Sequence, residues 1–224
     1  MTPTIKQVSD CAVLAEFGSV FNQDIKQAVR ALAQTIERTP PHGLIDLVPA
    51  YVNLLVVFDP LVTDHNQIER QILAMAQTAQ RAEIASQHHI IPVCFEPNFA
   101  PDLDAVALDT SANIIDAMTT ARLEVILYGF APGYAYMDGV PEALRLPRKQ
   151  QAVRDVPAGS LIIAGNQCLI TTLVMPTGWH RIGRTPMTIL TNNPEQPIVL
   201  GIGDTVSFEA ITSAEMQEAL DGQA

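Results

Sequence analysis

Cysteine is scarce in this sequence. Cys11, Cys94 and Cys168 are far apart, odd in number and in no CxxC pair, which argues against a disulfide framework and a zinc site and for a reduced, cytoplasmic setting. No stretch is long and apolar enough to span a bilayer. The start MTPTIKQVSD has no apolar run behind a basic segment, so no secretory leader is expected. Positive charge is also short: 13 Lys and Arg against 24 Asp and Glu, a net charge of −11. An acidic chain of this kind is a poor general binder of nucleic acid or anionic membrane. GxxxxGK[ST], HExxH and GxSxG are all missing. His88-His89 lacks supporting ligand spacing, GIGDTV near Gly201 is too short for a dinucleotide fingerprint, and no metal or biotin motif is found. Charged residues make up only 17% of the chain and hydrophobic ones 48%, which suits a folded protein with a substantial core rather than a disordered one.

The order of elements is legible in part. Ala12 to Phe17 reads as a strand. Ile25, Val29, Leu32, Ala33 and Ile36 recur at helical spacing behind Asn22 or Asp24 as a cap, and Pro40-Pro41 ends that helix. Leu44 to Val48 and Tyr51 to Phe58 read as strands. A helix is expected from Asp64 to Arg81, with Ile68, Ile72, Leu73, Met75 and Ala76 on one side. Ile90 to Phe95 is a further strand, which belongs either here or to the next domain. The order βαββαβ predicts a ferredoxin-like α+β domain over residues 1–96. Two short helices follow, Asp102 to Leu108 and Ser111 to Met118, with Ser111 as N-cap. Within a second domain over residues 97–224, the stretch from Leu123 to Phe208 reads as short β runs broken by Gly and Pro: Glu124 to Tyr128, Ser160 to Ala164, Cys168 to Val174, Met187 to Thr191 and Thr205 to Phe208. That texture predicts a barrel or sandwich. Cys168 is expected to be a buried small side chain, and Ala214 to Ala224 a helix that frays.

The chemistry concentrates between Gly129 and Leu190. This stretch holds six basic residues against three acidic ones, while the remainder holds seven against twenty-one. It also contains seven of the twelve glycines. A basic patch on an acidic protein favours a small anion, and the planar donor fork of arginine fits a carboxylate or phosphate. Each arginine alone fits an ordinary surface ion pair; their clustering among glycines favours a site. Gly129, Phe130, Pro132, Gly133, Tyr134 and Tyr136 suit a pocket wall, and this loop could supply backbone donors to developing negative charge. If the only tryptophan run, GWHRIGRTP, is a strand, Trp179 and Arg181 share one face, and His180, Ile182 and Arg184 the other. His180 fits equally a proton carrier and a hydrogen-bonded structural histidine.

The strings GFAPGYAYMDGVP, LPRKQQAVRDVPAGSLIIAGNQ and PTGWHRIGRTP resemble the defining pattern of the family that includes the B component of 5-oxoprolinase, KipI and allophanate hydrolase subunit 1 (carboxyltransferase domain, subdomain C and D). SDCAVLAEFG, PPHGLIDLVPAY, LLVVFDP and GIGDTVSFEAI extend the likeness over nearly the whole chain. The sequence departs from the family pattern at FEPNFAPDL, Met118, Val153-Arg154, Gln167-Cys168-Leu169, Thr171-Thr172 and Pro176-Thr177-Gly178. The resemblance implies an α+β first domain and a cyclophilin-like β-barrel second domain. It implies a partner, subunit 2 (KipA or the C component of 5-oxoprolinase), and an ATP-dependent hydrolase acting on a small anionic lactam or ureido compound, with the ATP site shared or held by other subunits. On this reading Arg148, Arg154 and Arg184 bind a carboxylate or phosphate, Gln167 and His180 hold the amide, and Trp179, Arg181, Gly183 and Thr185 complete the substrate site. KipI-like inhibition of a sensor histidine kinase is the alternative, as is a degenerate scaffold for subunit 2.

Overall fold

The computed structural model describes residues 1–79, 86–110 and 113–222. The chain divides into two compact units, Met1–Ile84 and Ala85–Ala224.

In the first unit, β1 (Thr4–Ser9) and β2 (Ala12–Glu16) form a hairpin. Helix α1 (Gln23–Arg38) starts where Asn22 Oδ1 accepts the Ile25 amide at 2.9 Å, and its face Ile25, Val29, Leu32, Ala33 and Ile36 is buried as the spacing predicts. Strands β3 (Leu44–Pro49) and β4 (Asn53–Phe58) follow, then α2 (His65–Thr78), capped by Asp64. On α2, Ile68, Ile72 and Ala76 are buried, while Leu73 and Met75 are half-buried. The end expected at Arg81 lies outside the described residues. In β4, Leu54, Val56 and Phe58 are fully buried and alternate with half-buried residues, the period of a strand with one face on the helices.

The antiparallel sheet has the order β1-β2-β4-β3. This corrects the expected βαββαβ arrangement to ββαββα. The edge beside β2 is taken by β1, a polar strand (TIKQVS) whose mostly exposed side chains carry no apolar signal. The strand expected to close this domain, β5 (His88–Cys94), belongs to the second unit. There it pairs in parallel with β13 (Thr205–Ile211) over seven residue pairs.

The second unit is built around a closed barrel. Helices α3 (Leu103–Thr110) and α4 (Ile114–Thr120) follow β5. Asn113 caps α4; the Ser111 expected there lies outside the described residues. Then come β6 (Leu123–Tyr128), β7 (Ala135–Asp138), β8 (Val153–Val156), β9 (Ser160–Ala164), β10 (Gln167–Ile170), β11 (Met175–Thr177) and β12 (His180–Arg184). The barrel runs β10-β7-β6-β13-β5-β12-β9, and β8 with β11 forms a separate two-stranded sheet. The run expected as one strand from Cys168 to Val174 ends at Ile170, and Met187 to Thr191 holds only an isolated bridge from Leu190 to Ile198. Helix α5 (Ser213–Asp221) closes the described chain. It is firmer than the expected fraying tail: Thr212 and Glu215 form a reciprocal cap, Ser213 bonds Glu96, and Met216 is fully buried.

Every residue of β9 is buried. Leu161 and Ile163 fill the barrel with Met137, Cys168, Ile182 and Phe208, while Ile162 and Ala164 join an outer cluster with Tyr134, Leu169 and Trp179. A strand covered on both faces reads as an unbroken apolar run. Cys168 is fully buried, as expected, and burial pushes its thiol well above the ordinary range. Alkylation of the native chain should therefore label the half-buried Cys11 and spare Cys94 and Cys168, whereas urea should expose all three. Mass spectrometry of the labelled chain checks this, and native labelling at Cys168 would contradict the packing.

Candidate functional site

The β6–β7 loop makes the first wall. Within it the Ala131 amide bonds the Gly129 carbonyl at 2.9 Å and the Tyr134 amide bonds the Ala131 carbonyl at 3.1 Å. Phe130 sits at φ 69° and Gly133 at φ 75°. A Cβ on Gly133 would lie 3.0 Å from Thr172 Cγ2 and 3.2 Å from Leu190 Cβ, so this position needs glycine on two counts. The amides of Gly129, Ala131 and Tyr134 are spent inside the loop; only those of Phe130 and Gly133 have no acceptor among the described residues. The expected donor role therefore narrows to these two.

Aromatic rings extend the wall. Tyr136 meets Trp179 edge to face at 5.8 Å, and Phe130 meets Tyr134 at 5.9 Å. The Arg148 guanidinium stands 5.6 Å from the Trp179 ring centre, a cation–π distance. Together with Ile162, Leu169 and Pro176 these groups enclose a recess of about 120 Å³ on the outside of the barrel. Burial, assisted by Tyr136, raises the Tyr134 hydroxyl; burial also raises Tyr136, against the opposing pull of Arg148. Both phenols are neutral donors at physiological pH. No carboxylate pairs with Arg148 among the described residues.

The structure thus gathers Phe130, Tyr134, Tyr136, Arg148 and Trp179 around this recess, keeps Gly129, Pro132 and Gly133 in the β6–β7 loop beside it, and sets the remaining candidates elsewhere. Arg154 is exposed on β8. Gln167 opens β10 opposite Ala164 and Asp138. The Pro132 carbonyl accepts from Thr172 Oγ1. His180 is bound through Nε2 to the Pro147 carbonyl at 2.9 Å. Gly183 is a packing residue, because a Cβ there would lie 2.5 Å from Val93 Cγ1. Arg184 and Thr185 line a second recess with Gly159, Thr171 and Leu220.

The expected faces of β12 are corrected by a bulge. Register against β9 shifts between Arg181 and Gly183: His180 pairs with Ile163 and Arg181 with Ile162, but Gly183 pairs with Leu161 and Arg184 with Ser160. Ile182 takes an extra place and points into the barrel core. Arg184 therefore shares the outer face with Trp179 and Arg181 rather than the face of His180. Burial, reinforced by Arg181, lowers the Arg184 pKa; burial lowers that of Arg181 too, opposed by Asp102.

Two acidic positions went unmarked in the sequence. Asp102 Oδ2 accepts the Arg181 amide at 2.7 Å and pairs with Lys149, which anchors the loop bearing Arg148. Asp204, inside the GIGDTV string, accepts from the Gln87 and Gly201 amides and from His89. A lone Asp gives no sequence signal for a contact 79 or 117 residues away.

Residues 3–200 match the family model described as carboxyltransferase domain, subdomain C and D. The chain is 31% identical over 226 residues to the B component of 5-oxoprolinase from Bacillus subtilis (strain 168), covering 94% of each. It is similar to the crystal structure of TTHA0988 at TM-score 0.79 and 28% identity, spanning 90% of this chain but 40% of that one. It also matches the K. lactis urea amidolyase at TM-score 0.79 and 19% identity, with 98% of this chain and 16% of that one covered; that likeness is one of fold. Among the described residues no helix is long and apolar enough to cross a membrane.

Proposed function

The chain belongs to the carboxyltransferase domain family, subdomain C and D, and from that premise we propose that it is the smaller subunit of a hydrolase acting on a C–N bond of a small cyclic amide or ureido compound. The 5-oxoprolinase reaction, 5-oxoproline to glutamate, is the leading candidate, because the B. subtilis relative is named as the B component of 5-oxoprolinase. The allophanate-type reaction is its counterpart on a ureido substrate. A larger subunit 2 is the expected partner. ATP is the expected cosubstrate, bound at a site shared with or supplied by other subunits.

The observation that carries this reading is the pairing of aromatic walls with a cation, Arg148, that has no carboxylate partner among the described residues. A flat amide ring would stack on one of the two rings Trp179 and Tyr136, which stand at 73° to each other, while its carboxylate meets Arg148 and a tyrosine hydroxyl meets the amide oxygen. The Phe130 amide, on the lining of this recess, is the backbone donor left for charge that develops on that oxygen when water attacks the carbonyl and the C–N bond opens.

The test is ATP-dependent loss of 5-oxoproline by this chain co-purified with subunit 2. Arg148→Ala should lower kcat/KM at least tenfold, about 1.4 kcal/mol, mainly through KM, since the carboxylate contact persists from ground state to transition state. Full activity in Arg148→Ala would move the site elsewhere.

A second reading, a KipI-like protein inhibitor of a sensor histidine kinase, is favoured by exposed apolar side chains on the β6–β7 loop and on the segment after β10. Phe130 is 77% exposed, and Leu173 and Val174, which follow the Thr172 that bonds Pro132, are 39% and 65% exposed. Recovery of a kinase but no subunit 2 in a pull-down would select it.

A further inference from the structure

The second recess shares no lining residue with the aromatic one and has a different chemistry. It measures about 160 Å³ and lies between the start of β9, the segment after β12 and the last turn of α5. A single water needs roughly 10–15 Å³ of such space, so a group of several heavy atoms fits with solvent. On a chain of net charge −11, its lining among the described residues contains an arginine and four threonines and no acidic side chain.

Arg184 is already oriented. Its Nε donates to the Ala158 carbonyl at 3.1 Å, which sets the guanidinium plane and leaves both Nη groups as a fork. No carboxylate claims them among the described residues. The Arg181 charge on the same face of β12 adds to the local positive potential, and Asp102 is engaged with Lys149 and the Arg181 amide.

Thr185 is the second donor. It is 2% exposed, and its Oγ1 accepts the Met187 amide at 3.1 Å, so its own hydrogen remains to be given. No acceptor takes it among the described residues. Thr188 offers an exposed hydroxyl at the mouth. Thr171 and Thr172 serve as walls, since their hydroxyls already donate to the Pro157 and Pro132 carbonyls. A fork plus two separate hydroxyls exceeds the two oxygens of a carboxylate and matches the three terminal oxygens of a phosphoryl group.

Trp179 and Arg184 are separated by roughly 15 Å along the strand, at about 3.3 Å per residue. One small amide does not reach both, so the anion here belongs to a second ligand. We propose that this recess is a phosphoryl subsite, in which Arg184 and the Thr185 hydroxyl hold the tetrahedral oxyanion of a nucleotide or of free phosphate. Its use in a coupled amide hydrolysis rests on the reading above; the binding itself does not.

The experiment is calorimetric titration of the full chain with inorganic phosphate, ADP and acetate in phosphate-free buffer. Saturable binding of phosphate or ADP is expected, with acetate at least tenfold weaker. Tighter ADP than phosphate identifies a nucleotide as the source, and the reverse identifies free phosphate. Arg184→Gln should weaken binding at least tenfold and Thr185→Val several-fold. Arg122→Gln, which removes one exposed charge elsewhere, and Arg148→Gln should leave it unchanged. If Arg184→Gln does not fold by circular dichroism, Thr185→Val carries the test. The proposal is overturned by no saturable binding of phosphate or ADP, by acetate binding equally well, by full affinity in the folded variants, or by Arg148→Gln losing affinity as Arg184→Gln does. Phosphate binding without lactam turnover would leave this inference standing and remove the proposed substrate; turnover without phosphate binding would do the opposite.

Discussion

Gly159→Ala should destabilise the barrel by about 3–5 kcal/mol, lowering its thermal midpoint by roughly 10 °C. Gly159 sits at φ +81°, where an L side chain costs about 1–2 kcal/mol. A Cβ there would also lie 2.4 Å from the Thr185 carbonyl oxygen. That obstacle is backbone and cannot swing aside. It is also tied in place: the Thr185 amide donates to the Gly159 carbonyl at 2.9 Å, and the Gly159 amide donates to the Thr171 carbonyl at 2.6 Å. Any shift that relieves the clash strains the junction of β9, β10 and β12 and dents the recess around Arg184. Gly165→Ala is the control. Gly165 has φ +58° but nothing within 4 Å of its Cβ position, so only the backbone cost of about 1–2 kcal/mol remains. Thermal melts by circular dichroism compare the two, and equal losses would show that the Thr185 contact is not as close as described.

Asp204→Ala should cost about 3–4 kcal/mol. The side chain is only 10% exposed, yet its carboxylate accepts the Gln87 amide at 2.9 Å, the Gly201 amide at 2.8 Å and His89 Nε2 at 2.7 Å. Removal strands two amides and an imidazole nitrogen, and each unpaired buried group costs about 1–3 kcal/mol. The loss falls where β5 and β13 begin their parallel pairing. Burial alone would raise the Asp204 carboxyl, but the hydrogen bonds from Gln87, His89 and Gly201 together outweigh it and hold it below its ordinary value. A carboxyl depressed in the folded state contributes its stability above the unfolded pKa, about 3.9 for Asp, and loses it as pH falls through the folded value. Acid unfolding followed by circular dichroism should therefore be steep below about pH 4 in the native chain and flatter in Asp204→Asn. An unchanged acid limb in Asp204→Asn would remove this carboxylate from the account.

Much of this protein follows from local pattern. The buried faces of α1 and α2 and the short runs of β4, β6, β9 and β13 match what local pattern predicts, because a side chain's direction along one element depends on its own backbone. The family was legible for the same reason: its strings are contiguous. The strands that escaped notice are short or polar. β1 is an exposed edge, and β8 and β11 have four and three residues.

What only the tertiary structure decided involves partners far along the chain. Strand β5 looks in sequence like the last strand of the first unit, but its register with β13 places it in the barrel. The bulge at Ile182 is an outcome of pairing with β9, not of the run GWHRIGRTP, and it moves Arg184 to the side of Trp179 and Arg181. A one-residue slip in a strand turns every later side chain over. The sequence alone therefore determined that arginines, glycines and aromatic rings cluster between Gly129 and Leu190. Which of them face one another, an aromatic recess with Arg148 and a threonine-lined one with Arg184, depended on strand register, which is set by neighbours that no local pattern contains.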